Sequence, residues 1–224
     1  MAEVHRTTMT PTKLELLTAW LPNQPWYAGN GGAPDLSRSG GFRLDDPDGE
    51  VGIEFLVVAD TSGDQAAYYQ VPLTYRGAAL PGAEAALVGH SEHGVLGTRW
   101  IYNGVHDPVL VAQLLALLQG AAEPQAQSQS FTPDPSVVVT GSAVSGQIVP
   151  VSSAVEDAGT ATSVVVQASV AGDPAGHTVT IELVRSLRAG EDAKAQDLGS
   201  VHTGWLAADG TTVRGRFAAI REFV

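Results

Sequence analysis

Cysteine is absent from the 224-residue sequence, and basic residues are scarce. Without cysteine there is no disulfide bond, no thiol nucleophile and no cysteine-ligated zinc ion. Lysine and arginine together number 12 against 24 acidic residues, which gives a formal net charge of −12. Nucleic acids and anionic membrane surfaces are bound through basic faces. We therefore expect neither nucleic acid nor membrane as a partner.

Long apolar segments are also missing. The longest apolar run, Pro108 to Leu118, is too short to span a bilayer. The polar segment Met1 to Pro11 lacks the apolar core of a secretory signal, so we expect a cytoplasmic protein. Hydrophobic residues nevertheless make up 44% of the chain. That fraction is typical of a globular protein with a substantial buried core.

Two segments predict helices. The first begins near Thr10, which can cap it, with Pro11 at the first helical position. The second begins with Asp107 as N-cap and Pro108 at its first position, and Gly120 is suited to the left-handed conformation that ends a helix. The second helix is apolar on most of its surface, which predicts that it is largely buried.

Most of the remaining chain predicts β-strands, and one segment predicts a connection. Residues 121–135 are rich in Gln, Ser and Pro, which is typical of a linker or a surface-crossing segment. We predict an α+β fold with an N-terminal domain at 1–120, a small antiparallel sheet with two main helices. A β-rich C-terminal domain at 136–224 forms a barrel or a sandwich-like sheet, and the two halves can pack into one body. The candidate strands lie near residues 41–45, 51–59, 68–75, 95–102, 137–140, 163–170, 178–185, 199–206 and 211–220.

Aromatic residues supply the first candidates for ligand binding. Trp26 and Tyr27 stand beside a glycine-rich loop, and aromatic faces can stack on sugar rings. The alternative is that these rings belong to an aromatic core under a small sheet, because such rings bury large areas.

Residues 89–94 supply further candidates. The nucleophile-elbow pattern Gly-x-Ser-x-Gly fails by one residue because position 93 is histidine. His90, Glu92 and His93 remain candidate ligand-binding residues, and they could also hold a metal ion together with His106. A glycine-flanked turn that presents polar side chains explains the segment equally, and we predict neither a metal ion nor a cofactor.

Arginines are the remaining candidates. Arg76 is taken as a ligand-binding residue because, with Arg43 and Arg99, it could bind a phosphate if the three converge. Arg214 and Arg216 share a face of the last strand, and a solvated edge strand explains them without a ligand.

Three short motifs occur in order along the first half of the chain. They are Trp20 to Gly29 (WLPNQPWYAG), Tyr69 to Arg76 (YQVPLTYR) and Tyr102 to Pro108 (YNGVHDP). This region, about residues 10–120, resembles the N-terminal cap of bacterial maltokinases, which phosphorylate maltose from ATP. The cap pattern of that family is Trp-Leu-Pro-x-x-x-Trp-Tyr-Ala-Gly, then Tyr-x-Val-Pro-Leu, then Tyr-Asp-Ala-x-x-Asp-Pro. The chain also resembles stand-alone actinobacterial cap-like proteins. Some of those are described as 1,4-α-glucan branching proteins, although this chain is too short for the catalytic barrel that such an activity implies.

The kinase lobe that should follow a cap is missing from the sequence. None of the six histidines is followed two residues later by aspartate, and neither lysine follows a glycine. The His-x-Asp and Gly-Lys motifs of phosphoryl transfer are therefore absent. The resemblance implies a non-catalytic accessory or regulatory protein of maltose, trehalose or α-glucan metabolism. Its partner would be a kinase or synthase of that metabolism, or a sugar. The sequence leaves open a small glycan- or phosphosugar-processing enzyme and a homo-oligomeric structural module such as a homodimer.

Overall fold

Strands dominate the computed structural model, which describes residues 8–29, 31–141, 148–170 and 173–224, with the backbone alone for 173–175. Within these residues there are 14 β-strands and two α-helices. The first half contains β1 (Met9–Thr10), α1 (Lys13–Trp20), β2 (Leu36–Leu44), β3 (Gly52–Asp60), β4 (Ala67–Arg76), β5 (Leu87–His93), β6 (Gly97–Asn103), α2 (Pro108–Leu118) and β7 (Gln125–Ala126). The second half contains β8 (Val138–Thr140), β9 (Ile148–Ala158), β10 (Ala161–Val170), β11 (Asp173–Val184), β12 (Ser186–Leu187), β13 (Gly199–Leu206) and β14 (Thr212–Phe223).

Both predicted helices are present. Helix α2 is capped by Asp107, whose carboxylate accepts a hydrogen bond from the backbone N–H of Val109. Helix α1 is capped by Thr12 rather than by Thr10, because Thr12 and Glu15 form a reciprocal capping box that satisfies two free N–H groups. Thr10 instead lies in β1, where it pairs with β5.

The 14 strands form one open, antiparallel sheet. Its order is β1-β5-β6-β4-β3-β2-β13-β14-β11-β10-β9, while β12 pairs with β4, β7 with β2 and β8 with β13. Strand β13 pairs with β2 at Trp205 and Gly40, so the C-terminal strands continue the N-terminal sheet. The predicted C-terminal barrel is therefore wrong, because the C-terminal strands belong to one open sheet with the N-terminal strands. Strand β13 pairs with the edge of β2, whose backbone N–H and C=O groups would otherwise be unpaired. The predicted domain boundaries at 120 and 136 stay a prediction.

The two faces of the N-terminal strands pack against different layers. Alternate residues of β3 point to opposite faces, so Leu56 lies in the core under α1 while Phe55 lies in the larger core on the other side. The larger core contains the apolar side of α2 together with side chains from β10, β11, β13 and β14. The N-terminal strands are therefore covered by α1 on one face and by α2 with the C-terminal strands on the other.

The segment at 121–135 crosses strand β2. Its short strand β7 pairs with β2, and the guanidinium of Arg43 donates to the backbone oxygens of Ala126 (3.1 Å) and Gln129 (2.9 Å). In the part of the chain that the structure describes, no helix has the length and apolarity needed to cross a bilayer.

Candidate functional site

Trp26 and Tyr27 lie on the face of the sheet that α1 covers. Trp26 is 2% exposed, and its ring packs 5.9 Å from Trp20 and 6.1 Å from Tyr69, between ring centroids. The Tyr27 hydroxyl donates to Asp60 Oδ2 at 2.7 Å, and burial together with this bond raises the pKa of Tyr27 to about 12. Both residues serve the packing of the cap motif in this conformation. Their assignment to ligand binding stays a prediction.

Arg76, His90 and Glu92 lie on the opposite face. Arg76 pairs with Trp100 across strands, and Trp100 pairs with His90, so the three side chains form a row on one face. The His90 ring meets Trp100 edge-on at 5.3 Å, and Glu92 follows two residues later on the same face. The Arg76 guanidinium makes two bonds to Asp107, of 2.6 and 2.7 Å. The structure thus groups Arg76, His90 and Glu92 and separates them from Trp26 and Tyr27.

His93 points away from this row. Its Nδ1 accepts a backbone hydrogen bond from Leu96 at 3.1 Å, which closes the turn after β5. Ser91, on the same side of the strand as His93, is buried and donates to the Pro11 carbonyl at 2.7 Å. His90 and His93 therefore do not converge. Within the described ranges, no group of three or more His, Cys, Asp or Glu residues is arranged to hold a metal ion.

A buried arginine joins the cap motifs to the C-terminal strands. Arg185 is fully buried, and its guanidinium carbon lies 4.9 Å from the centroid of the Trp26 ring. Its Nε donates to Thr162 Oγ1 (2.7 Å) and its Nη2 to Asn103 Oδ1 (3.0 Å). Its Nη1 has no hydrogen-bond partner among the described residues. Because burial outweighs the attraction of Asp157, the pKa of Arg185 is lowered to about 10.

Gln70 provides a second connection at the same place. Its side-chain nitrogen donates to the backbone oxygens of Val184 and Phe217, each at 3.1 Å. Its backbone N–H donates to the Arg185 carbonyl at 2.8 Å, next to the β12–β4 pairing. Sequence reasoning missed Arg185, because a single arginine at the end of a strand carries no motif. It placed Gln70 inside the second cap motif but gave its side chain no role, since the partners of Gln70 lie more than 100 residues away in the sequence.

Arg216 is the centre of a cluster of charged side chains. Strand β14 lies between β13 and β11, so the prediction that Arg216 stands on a solvated edge strand is wrong. Its side chain is 1% exposed and donates to Glu182 (2.7 Å), Glu191 (3.2 Å) and Asp197 (3.2 Å). Arg221 binds Asp197 as well. The polar loop that carries Glu191 thus closes over a buried cation, which only the tertiary structure reveals.

Comparison with known proteins supports the resemblance. The family model described as "Maltokinase N-terminal cap domain" matches residues 20–107. A search of curated proteins finds no match. The matched segment runs from the end of α1 to the N-cap of α2, and it includes Trp26, Gln70 and Asn103. Residues 20–107 of this chain are therefore a maltokinase N-terminal cap domain.

Proposed function

We propose that the protein is a non-catalytic accessory or regulatory protein of maltose, trehalose or α-glucan metabolism that acts by binding a protein or a sugar. The cap domain at residues 20–107 is the main support. The resemblance to maltokinases implies a cap that lies over the ATP-binding lobe of a kinase. A cap in a chain without the kinase motifs would act on a kinase or synthase supplied by a second protein.

The observation that carries the proposal is the way in which the cap is joined to its own C-terminal strands. Trp26 and Asn103 contact Arg185, and Gln70 bonds to Val184 and Phe217, so residues of all three cap motifs participate. This arrangement supports a cap that is stabilised by its own C-terminal strands and works apart from a kinase polypeptide.

Several side chains that could perform chemistry instead stabilise the fold. The buried carboxylate of Glu54 accepts bonds from Lys13 (2.7 Å) and from the Tyr75 hydroxyl (2.5 Å). Asp107 binds Arg76 and caps α2, as described above. These uses favour a binding role over a catalytic one.

One observation favours the alternative of a small glycan- or phosphosugar-processing enzyme. Glu182 Oε1 and Glu191 Oε1 both lie within 3.2 Å of Arg216 Nη2. The two oxygens are therefore at most about 6 Å apart, which is compatible with the ~5–5.5 Å between the two carboxylates of retaining glycosidases. Incubation of the protein with α-glucans, maltose 1-phosphate, and maltose with ATP and Mg²⁺, followed by product analysis, tests this alternative. Turnover that disappears in Glu182→Gln would replace our proposal with the enzyme.

Sugar binding is tested by a thermal-shift panel with maltose, maltose 1-phosphate, trehalose, α-glucan oligosaccharides and ATP with Mg²⁺. A ligand at about 100 times its Kd stabilises a protein by roughly 2.7 kcal/mol, which shifts the Tm by several degrees at this size. We expect a shift with a sugar and none with ATP and Mg²⁺ alone.

Protein binding is tested with purified maltokinases and α-glucan synthases in calorimetry and in activity assays. A complex that changes the KM or kcat of one of these enzymes supports the proposal. Light scattering on the protein alone tests the homo-oligomeric module. A stable homodimer that binds neither sugars nor these enzymes would contradict the accessory role.

A further inference from the structure

A polar cleft opens on the C-terminal strands, and its lining residues belong to none of the three cap motifs. Its volume is about 560 Å³, within the ~300–1,000 Å³ typical of small-molecule sites. Five charged side chains line it: Glu182, Arg188, Glu191, Lys194 and Arg216. The hydroxyl-bearing residues Thr160 and Ser186 also belong to its wall. We call this feature the ionic cleft.

The carboxylates of the ionic cleft are held in place by a buried cation. Arg216 bridges Glu182 and Glu191, and the Lys194 ammonium lies 3.8 Å from a carboxylate oxygen of each. Because the guanidinium is buried and bonded to several partners, it fixes the direction of both carboxylates. The cleft wall therefore presents preorganised hydrogen-bond acceptors, and ion pairs with Arg216 hold these acceptors in position.

Arg188 gives the ionic cleft a cation that is free to bind. Its side chain is exposed, and within the described ranges its guanidinium has no ion pair and no hydrogen bond. Three cations thus line the cleft with two carboxylates, although the whole chain carries a net charge of −12. A guanidinium binds carboxylates and phosphates through paired, parallel hydrogen bonds.

We propose that the ionic cleft binds a small polyhydroxylated anion, of the class of sugar phosphates and sugar acids. The anionic group pairs with Arg188, while hydroxyl groups of the ligand donate to Glu182 and Glu191. The proposal rests on the sugar-binding form of the proposed function and names its site and its ligand class.

Calorimetry on the full chain tests the proposal, with glucose 6-phosphate, gluconate, glucose and inorganic phosphate as probes. We expect glucose 6-phosphate or gluconate to bind more tightly than glucose or phosphate, and the affinity to fall as ionic strength rises. Arg188→Gln should weaken binding by about 10-fold or more, since one charge-assisted bond is lost. Arg188 is exposed, so this variant should keep the Tm of the wild type.

Arg214→Gln is the matched control. Arg214 is an exposed arginine of β14 that donates to the Ser136 carbonyl and does not line the ionic cleft. The control should leave binding unchanged. Equal loss in both variants, unchanged binding in Arg188→Gln, or no binding of either sugar anion at millimolar concentration would overturn the proposal. If the protein binds neutral maltose and Arg188→Gln leaves that binding intact, the assignment of the ionic cleft as the binding site would be overturned. The proposed function would still be supported.

Discussion

Replacement of Trp26 by alanine tests whether this indole stabilises the fold or serves as a sugar platform. The side chain is 2% exposed and packs under the Arg185 guanidinium. An aromatic side chain buries about 150–250 Å², which at ~25 cal/mol per Å² corresponds to roughly 4–6 kcal/mol. Because neighbouring side chains relax into part of the cavity, we expect Trp26→Ala to lower the free energy of unfolding by about 3–5 kcal/mol.

Trp26→Phe is the matched control. The indole Nε1 has no hydrogen-bond partner among the described residues, so phenylalanine loses no hydrogen bond there and keeps a ring under Arg185. We expect a loss of about 1–2 kcal/mol. Urea denaturation should be followed by circular dichroism, since the substitutions remove a tryptophan fluorophore. A loss below about 1 kcal/mol in Trp26→Ala, or equal losses in both variants, would refute the structural role.

A double-mutant cycle separates the ring contact from simple packing. In Arg185→Met the cation is removed while an unbranched apolar chain remains. A desolvated cation–π contact is worth about 2 kcal/mol, so the two substitutions should be non-additive by roughly that amount. Additive losses would mean that Trp26 and Arg185 stabilise the fold independently.

Further predictions concern buried charges. Asn103→Asp places a carboxylate beside Arg185 and should stabilise the fold by about 1 kcal/mol at pH 7, because a hydrogen bond from the guanidinium to a neutral amide becomes an ion pair. This gain should be complete above about pH 4 and should be lost in urea titrations as the pH falls through the lower pKa of the folded state, since the new group stabilises only while ionised; a gain that does not change with pH in acid would contradict the pairing. Burial raises the pKa of Glu54, but the charge and hydrogen bonds of Lys13 outweigh it, so the pKa lies below 4.5. The stability that this carboxylate contributes is complete above pH 4.5 and is lost as the pH falls through the lower pKa of the folded state. The Tm of Glu54→Gln should therefore vary less with pH in that range, and an unchanged acid profile would disprove the assignment. Asp107→Asn should cost about 3 kcal/mol by breaking a buried ion pair. Asp107→Ala should cost about 1 kcal/mol more because it also removes the helix cap, and equal losses in the two variants would argue against the capping role.

Much of the local structure was predictable, because it depends on neighbouring residues. Asp107, Pro108 and the apolar run after them predict α2, and the alternation at residues 51–59 predicts β3. The N-cap of α1 was misplaced by two residues, since Thr10 and Thr12 are chemically equivalent and only the capping box with Glu15 distinguishes them.

The candidate site was less predictable, since it depends on which faces meet. His90 and His93 are close in sequence but point to opposite sides of β5, because side chains alternate along a strand. Trp26 and Arg185, far apart in sequence, come into contact because β12 pairs with β4. Sequence patterns report the period of a strand but not its neighbours.

The sequence by itself determined the cap motifs, both helices, the β-rich second half and the lack of kinase motifs. All of these follow from local patterns of polarity, capping and spacing. The tertiary structure alone decided that the two halves share one sheet, that Arg185 is buried against Trp26 and that Arg216 gathers Glu182, Glu191 and Asp197. The physical reason is that strand pairing and the pairing of buried charges join residues distant in sequence. Their partners are chosen by the packing of the whole chain.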